Sequence, residues 1–231
     1  MTAAAPMHGT VHIVDDDTSY RVALCRLLRA AGLEPVPYGS AVEYLATDDP
    51  RGPACVLLDL RMPGLTGLDL QTALSMRRRA HPVVFLTGYA DIPTTVRAIK
   101  EGAVDFLTKP VETDTLLRSL ALALQRDDQN AKQRTRTDEL AARYAALTHR
   151  EQQVMSGVVA GRLNKQIAYA LDTAERTVKT HRSRVMSKMN VRCVPDLVHV
   201  ADQLRVAGVQ LQPIPGVLPK DALRPIAMGA Q

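Results

Sequence analysis

The sequence contains no tryptophan and only 3% aromatic residues, so its cores must be built from aliphatic side chains and methionine. Its three cysteines, Cys25, Cys55 and Cys193, are scattered, odd in number and without metal-ligand spacing. This indicates reduced thiols and excludes a disulfide framework. No apolar stretch approaches membrane-spanning length, and the N-terminus has no basic segment followed by an apolar one. We therefore expect a cytoplasmic protein without a membrane partner.

The 231 residues are enough for two modest domains, and their charge divides unevenly. Residues 1–125 carry 12 Lys and Arg against 14 Asp and Glu, whereas residues 126–231 carry 17 against 10. Residues 161–192 hold eight basic residues and only two acidic ones. A basic stripe is equally typical of a solvated helix face, but the excess in the C-terminal half predicts a polyanionic partner there.

Carboxylates follow two apolar segments that read as buried strands. Asp59 ends the run 54–58 and precedes a Met-Pro-Gly break, and Asp15 and Asp16 follow the run 11–14. The carboxyl ends of strands in open α/β sheets are where ligands bind. Packing these acids together demands a cation, and hard oxygen ligands favour Mg²⁺.

Two further strand ends supply a hydroxyl and an ammonium. Thr87 follows the run 83–86, and Lys109 follows the run 104–108 and precedes a proline. Both groups suit the oxygens of a transferred phosphoryl group. Taken singly, each acid is typical of a solvated loop. The alternative for Thr87 is a helix N-cap near Asp91, and the alternative for Lys109 is an exposed lysine in a turn. The agreement of four strand ends favours a phosphoacceptor site.

These residues, in this order, resemble the receiver domain of two-component response regulators over residues 10–125. The resemblance implies an α/β fold, a doubly wound, flavodoxin-like, five-stranded parallel sheet flanked by five helices. It also implies that Asp59 accepts a phosphoryl group from the phosphohistidine of a sensor histidine kinase.

The same resemblance gives roles to the other strand-end residues. The residues expected to hold Mg²⁺ are Asp15, Asp16, Asp59 and the carbonyl of Arg61. Thr87 is expected to hydrogen-bond the phosphoryl group and Lys109 to pair with it, with a cis Lys109–Pro110 bond. Val111 stands where the family usually has Phe, a difference that touches packing and leaves the chemistry intact.

The second half predicts an all-α domain. The last receiver helix should end near Arg126, and a partly helical linker is expected over 126–146. Thr148 and Glu151 then form a capping-box pattern that opens a four-helix domain over 147–206. The first helix ends at Gly161, and the others span 164–171, 175–189 and 196–204. The second and third form a helix-turn-helix whose cation-rich third helix fits the major groove.

This part of the chain resembles the LuxR-type DNA-binding domain over residues 144–206, through Leu147-Thr148, Lys165 with Ile167-Ala168, and the segment 177–181. With a receiver before it, the resemblance is to FixJ-like response regulators, which are transcription regulators and not enzymes. It implies double-stranded promoter DNA, a sensor kinase and RNA polymerase as partners. The family resemblance favours activation of transcription over repression.

Family precedent also assigns the DNA contacts. Base edges would be contacted by Lys179, Thr180 and Ser183, and phosphates by Lys165, Arg182, Arg184 and Lys188. The alternative for Lys165 and Lys188 is a solvated lysine. Ala174 caps poorly, which leaves the start of the recognition helix open. A proline-interrupted tail over 207–231 is expected to be flexible.

The predicted mechanism is a phosphorylation switch. The phosphoryl group at Asp59 draws Thr87 inward, and Phe106 rotates into the vacated space. A homodimer then forms through the surface that contains Ile92, Val96, Arg97, Ile99, Lys100 and Asp105. For Phe106, ordinary core packing is the alternative.

Two rival classes of function remain. One is a constitutive DNA-binding regulator whose receiver is not controlled by phosphorylation, which the complete set of acids, threonine and lysine disfavours. The other is an enzyme with a catalytic output domain. It is disfavoured because no histidine cluster or glycine-rich phosphate loop follows residue 126.

Overall fold

The computed structural model describes residues 8–47, 52–77, 80–89 and 91–215. The chain divides into two compact units with the boundary after Lys132. None of the helices in the described ranges combines the length and apolar composition that a membrane span needs.

The first unit is built on a parallel sheet with strand order β2-β1-β3-β4-β5. Its strands are Thr10–Val14 (β1), Glu34–Tyr38 (β2), Ala54–Leu58 (β3), Val83–Thr87 (β4) and Asp105–Thr108 (β5). Every residue of β3 and β4 is buried, as expected where helices cover both faces of a parallel sheet. The strand order reverses between β1 and β3, which opens a crevice at their carboxyl ends. The predicted doubly wound α/β fold is confirmed.

Helices alternate with the strands, and the sheet separates the core into two clusters, one on each face. The helices are Thr18–Ala30 (α1), Ala41–Leu45 (α2), Gly67–Ser75 (α3), Ile92–Lys100 (α4) and Thr113–Ala145 (α5). One cluster packs the sheet against α1 and α5 through side chains such as Ile13, Leu28 and Leu120. The other packs the opposite face against α2, α3 and α4, with Leu70 and Phe85 fully buried. The cores are largely aliphatic, as the composition predicts.

The helix α5 differs from the prediction. It does not fade near Arg126 but continues without interruption to Ala145, through the predicted linker. Contacts of Asp127 within the first unit explain why the helix continues past Arg126. Asp127 is fully buried, and its Oδ2 accepts a hydrogen bond of 3.1 Å from the backbone N of Ala54. The same oxygen lies 3.9 Å from Nδ1 of His81. The chain just beyond Arg126 is therefore part of the receiver.

The second unit is helical, as predicted. After the end of α5 its helices are His149–Val159 (α6), Asn164–Ala170 (α7), Glu175–Met189 (α8) and Val194–Val206 (α9). The capping box of Thr148 and Glu151 is present at the start of α6. Ala174 precedes α8 and makes no side-chain cap, yet the helix begins at the predicted residue. The core includes Met155, Ile167 and other aliphatic side chains from all of these helices.

The first part of the predicted tail packs onto this unit. Ile214 is only 3% exposed, and a Cβ added at Gly157 would lie 2.6 Å from its Cδ1. The backbone N of Gln212 donates a hydrogen bond of 2.7 Å to the hydroxyl of Tyr144. Packed residues therefore extend to Ile214, beyond the predicted start of the tail at residue 207. Residues 216–231 lie outside the described residues.

Candidate phosphoacceptor site and nucleic-acid interface

Two acids and a lysine meet at the carboxyl edge of the sheet. Asp15 follows β1 and is 3% exposed, and Asp59 follows β3 and is 9% exposed. Nζ of Lys109, which follows β5, lies 2.6 Å from Oδ2 of Asp15 and 2.7 Å from Oδ2 of Asp59. One ammonium therefore bridges two buried carboxylates that are far apart in sequence.

A third carboxylate completes a cluster that fits a cation. Asp15, Asp16 and Asp59 each offer an oxygen, and these oxygens lie within 4.8 Å of one another. Backbone N–H groups hold the buried pair in place, because Asp17 donates to Oδ1 of Asp15 and Arg61 donates to Oδ1 of Asp59. Hard oxygen donors with one member open to water match the preference of Mg²⁺.

The electrostatics of the site keep the lysine charged. Burial by itself lowers the pKa of Lys109, but hydrogen bonds and charges from Asp15 and Asp59 outweigh it, and the net effect raises the pKa. The ammonium also lies 4.3 Å from the ring centroid of Tyr20. Burial is the main cause that raises the pKa of Tyr20, so its phenol is neutral. The sequence pattern contains no signal for Tyr20, which becomes part of the site through the packing of α1.

Thr87 ends β4 at the same edge of the sheet and is 1% exposed. Its Oγ1 accepts a hydrogen bond of 3.2 Å from the backbone N of Tyr89. It does not cap α4, because Asp91 caps that helix and accepts a hydrogen bond of 2.8 Å from the backbone N of Thr94. The hydroxyl is therefore buried at the end of β4, on the same edge of the sheet as the acid cluster. The Lys109–Pro110 bond is cis, as predicted.

A glycine that sequence reasoning missed shapes the loop behind Asp59. A Cβ at Gly67 would lie 2.4 Å from the backbone O of Asp59, too close for any side chain. The backbone N of Gly67 donates a hydrogen bond of 2.9 Å to the backbone O of Leu60. The start of α3 therefore packs directly on the backbone that carries the acid, which leaves no room for a side chain at position 67.

The cation-rich helix of the second unit presents polar side chains on one face. Val178, Val185 and Met189 are buried, while Lys179, Thr180, Ser183 and Arg184 are exposed. Arg182 is partly exposed, and its Nη1 donates a hydrogen bond of 2.8 Å to Oδ1 of Asn164. Five of the predicted contact residues are therefore exposed on α8, namely Lys179, Thr180, Ser183, Arg184 and Lys188, and Lys165 is exposed on α7.

Lys188 has a partner within its own domain. Its Nζ lies 2.7 Å from Oε2 of Glu151, a residue that is only 2% exposed. Burial raises the pKa of Glu151, but hydrogen bonds from Lys188 and Thr148 outweigh it and lower the pKa overall. This geometry supports a role in the stability of the domain and adds no support for the predicted phosphate contact of Lys188.

Known proteins share both halves of this architecture. The family model for the response regulator receiver domain matches residues 11–121, and the luxR family of bacterial regulatory proteins matches residues 145–201. Nodulation protein W of Bradyrhizobium diazoefficiens is 43% identical over 204 residues, which cover 88% of this chain and 90% of that protein. This chain belongs to the two-component response regulators.

Further relatives match this response regulator over more than four fifths of its length. The transcriptional regulatory protein FixJ of Azorhizobium caulinodans is 38% identical over 191 residues, 83% of this chain and 90% of that protein. The solved structure of the response regulator StyR has a TM-score of 0.70 and 43% identity, and it covers 84% of this chain and 98% of that one. The protein is a FixJ-like transcription regulator with a LuxR-type DNA-binding domain.

The surface predicted for dimerisation of this response regulator carries exposed apolar side chains beside charged ones. Ile92 is 80% exposed, and Val96 and Ile99 are each 45% exposed. Two of the charged residues already have partners in the same chain. Nε of Arg97 lies 2.7 Å from Glu101, and Oδ2 of Asp105 accepts a hydrogen bond of 2.5 Å from the hydroxyl of Ser119. Lys100 is exposed, and Phe106 is partly buried with its ring 5.6 Å from that of Phe85.

Proposed function

We propose that this response regulator is controlled by phosphorylation of Asp59, which promotes dimerisation and binding to promoter DNA, and that it activates transcription through RNA polymerase. The observation that carries the proposal is the ammonium of Lys109, held within 2.7 Å of two buried carboxylates. A lysine so placed neutralises the acids before the reaction and remains beside Asp59 to pair with new negative charge. A purely structural ion pair does not require the third, exposed carboxylate of Asp16.

The proposed reaction transfers a phosphoryl group from a phosphohistidine of a sensor histidine kinase. An oxygen of Asp59 bonds to phosphorus as the P–N bond breaks, and the departing imidazole keeps the electron pair and takes up a proton. Asp15, Asp16, Asp59 and the carbonyl of Arg61 would hold Mg²⁺, which when bound offsets negative charge on the carboxylates and the phosphoryl oxygens. Lys109 pairs with one of those oxygens after transfer.

The proposed switch starts from Thr87. Its hydroxyl leaves the backbone N of Tyr89 and donates to the phosphoryl group, and Phe106 moves into the space that opens. Phe106 lies on β5, next to α4, so its movement changes the surface that carries Val96 and Ile99. Apolar side chains that are about half exposed support an interface there, because their burial in a dimer is favourable.

The proposed output is paired reading of DNA. Lys179, Thr180 and Ser183 of one protomer address base edges, and Lys165, Arg182 and Arg184 contact phosphates. A dimer presents two such helices to two half-sites, which raises the affinity without a new kind of contact.

Labelling with radioactive acetyl phosphate in Mg²⁺ tests the proposal. We expect the wild type to be labelled, the label to be lost in Asp59→Asn, and chelation of the metal to have the same effect on the wild type. Asp17→Asn is the matched control, because Asp17 is a neighbouring acid that caps α1 and can do so as Asn. Undiminished, Mg²⁺-independent labelling of Asp59→Asn would contradict the site.

A further inference from the structure

The aromatic ring of Tyr20 lies against the lysine of the phosphoacceptor site. Nζ of Lys109 is 4.3 Å from the centroid of this ring, inside the distance of about 6 Å at which an ammonium and an aromatic face attract each other. The same nitrogen lies 2.6 Å from Oδ2 of Asp15 and 2.7 Å from Oδ2 of Asp59. The ammonium is therefore held by two carboxylates and a ring.

The turn that places Asp15 also places Tyr20. The backbone N of Asp17 donates a hydrogen bond of 2.9 Å to Oδ1 of Asp15. Oδ1 of Asp17 accepts a hydrogen bond of 3.1 Å from the backbone N of Tyr20, because Asp17 is the N-cap of α1 and Tyr20 belongs to its first turn. One short segment therefore holds both the acid and the aromatic residue at the site.

A ring at this position changes the surroundings of the ammonium. The side chain of Lys109 is only 18% exposed, and the ring keeps water from one side of its Nζ. Opposite charges attract each other more strongly where water is excluded. A lysine otherwise ends in a compact charge on a flexible four-carbon stem. The ring therefore strengthens the pairs with both carboxylates and limits the positions that Nζ can take.

Ordinary packing is the alternative role for the ring. Tyr20 packs in part against the apolar cluster between the sheet and α1. Leu or Met at this position keeps an apolar contact with that cluster but offers no aromatic face to the ammonium. Phe keeps the face and lacks only the hydroxyl. A comparison of these side chains therefore separates packing from contact with the ammonium.

We infer that Tyr20 is a positioning residue for Lys109 in phosphoryl transfer, an inference that rests on the proposed function. The ring holds the ammonium beside Asp59, where negative charge of the phosphoryl group arrives. A charge that is already in place stabilises the transition state without rearrangement during the reaction. Tyr20 acts through Lys109 and touches no reacting atom, so Phe should serve as well as Tyr.

Initial rates of labelling with acetyl phosphate in Mg²⁺ test this role in the full-length protein. We expect Tyr20→Leu and Tyr20→Met to be labelled about three- to tenfold more slowly than the wild type, and Tyr20→Phe to stay within about twofold of it. The matched control is Val22→Ala on the same helix, at a side chain that is 46% exposed, and it should be labelled at the wild-type rate.

A second measurement reports the contact without phosphorylation. In proton NMR spectra of the metal-free protein, a ring this close to Nζ should shift the ε-CH₂ resonances of Lys109 upfield. The shift should be present in the wild type and Tyr20→Phe and absent in Tyr20→Leu and Tyr20→Met. Hydrogen exchange of β1 amides shows whether each variant keeps the receiver fold.

Three results would overturn the inference. Wild-type labelling rates in folded Tyr20→Leu and Tyr20→Met would reduce Tyr20 to packing, while labelling of Asp59 itself would stand. Slow labelling of Tyr20→Phe would assign the role to the hydroxyl and not to the ring. An unlabelled wild type would remove the proposed function and this inference with it, even where the NMR shift of Lys109 is present.

Discussion

The pair formed by Lys188 and Glu151 allows a direct test of structural against DNA-binding roles for a lysine in the recognition helix. We expect Lys188→Ala to destabilise the DNA-binding domain without changing the dependence of DNA binding on salt. The carboxylate of Glu151 accepts hydrogen bonds from Nζ of Lys188 at 2.7 Å and from the backbone N of Thr148 at 2.9 Å. Removing the lysine leaves a buried charge with fewer partners.

The size of the effect follows from the exposure of the two partners. Glu151 is 2% exposed, but the side chain of Lys188 is 39% exposed, so water replaces part of the lost interaction. Exposed pairs contribute about 0.2–1 kcal/mol, and breaking a fully buried pair costs about 3–5 kcal/mol. We therefore expect Lys188→Ala to lower the free energy of unfolding by about 1–2 kcal/mol, which is a factor of about 5–30 in the unfolded fraction.

Hydrogen exchange of α6 and α8 amides in the full-length protein measures this domain separately from the receiver. The control is Arg205→Ala, which breaks the exposed pair with Asp202 and should cost under about 0.5 kcal/mol. Unchanged exchange in Lys188→Ala, with a salt slope lower by about one unit, would refute the structural role and make Lys188 a phosphate contact.

The same pair predicts a dependence on pH. The pKa of Glu151 is lower in the folded protein than its ordinary value of 4.5, so the unfolded chain binds the proton more readily. The stabilising contribution is therefore present above that value and is lost as the pH falls through the folded pKa. The difference in stability between wild type and Lys188→Ala should shrink over the same acidic range, and a difference that persists there would contradict this explanation.

Three further predictions address assembly, packing and specificity. Phosphorylation should raise the dimer fraction in sedimentation, and Val96→Asp should block that rise while Val22→Asp, on α1 with nearly the same exposure, should not. Ile214→Ala should destabilise the DNA-binding domain by about 2–5 kcal/mol in hydrogen exchange, whereas Val206→Ala, at a side chain that is 91% exposed, should change its stability by less than about 0.5 kcal/mol. Lys179→Ala should reduce the preference for operator over scrambled duplex by about 1–3 kcal/mol, and equal weakening on both would make Lys179 a phosphate contact.

The strand ends and the recognition helix could be predicted because local pattern determines them. The apolar run before Asp59 has the length of a strand and stops at a break, so the acid had to lie at the edge of the sheet. The boundaries of α8 follow from apolar residues at helical spacing such as Val178 and Val185. Parallel strands then bring Asp15, Asp59 and Lys109 to one edge, although their hydrogen bonds depend on side-chain positions that no pattern contains.

The features that sequence reasoning missed depend on contacts between distant segments. Asp127 reads as a solvated charge in a polar stretch, but its carboxylate is buried against β3 and the helix continues past it. Ile214 lies in a stretch without helical or strand period, yet it fills the space over Gly157. Lys188 reads as an outward-facing cation until the fold places Glu151 beside it.

Operator binding before and after phosphorylation tests the central claim most directly. We predict that acetyl phosphate raises the affinity of the wild type for its operator by about a hundredfold or more, as expected when a dimer engages two half-sites. Asp59→Asn should keep the weaker affinity under the same treatment. Equal affinity of phosphorylated and unphosphorylated wild type would contradict the account and indicate a regulator that binds DNA constitutively.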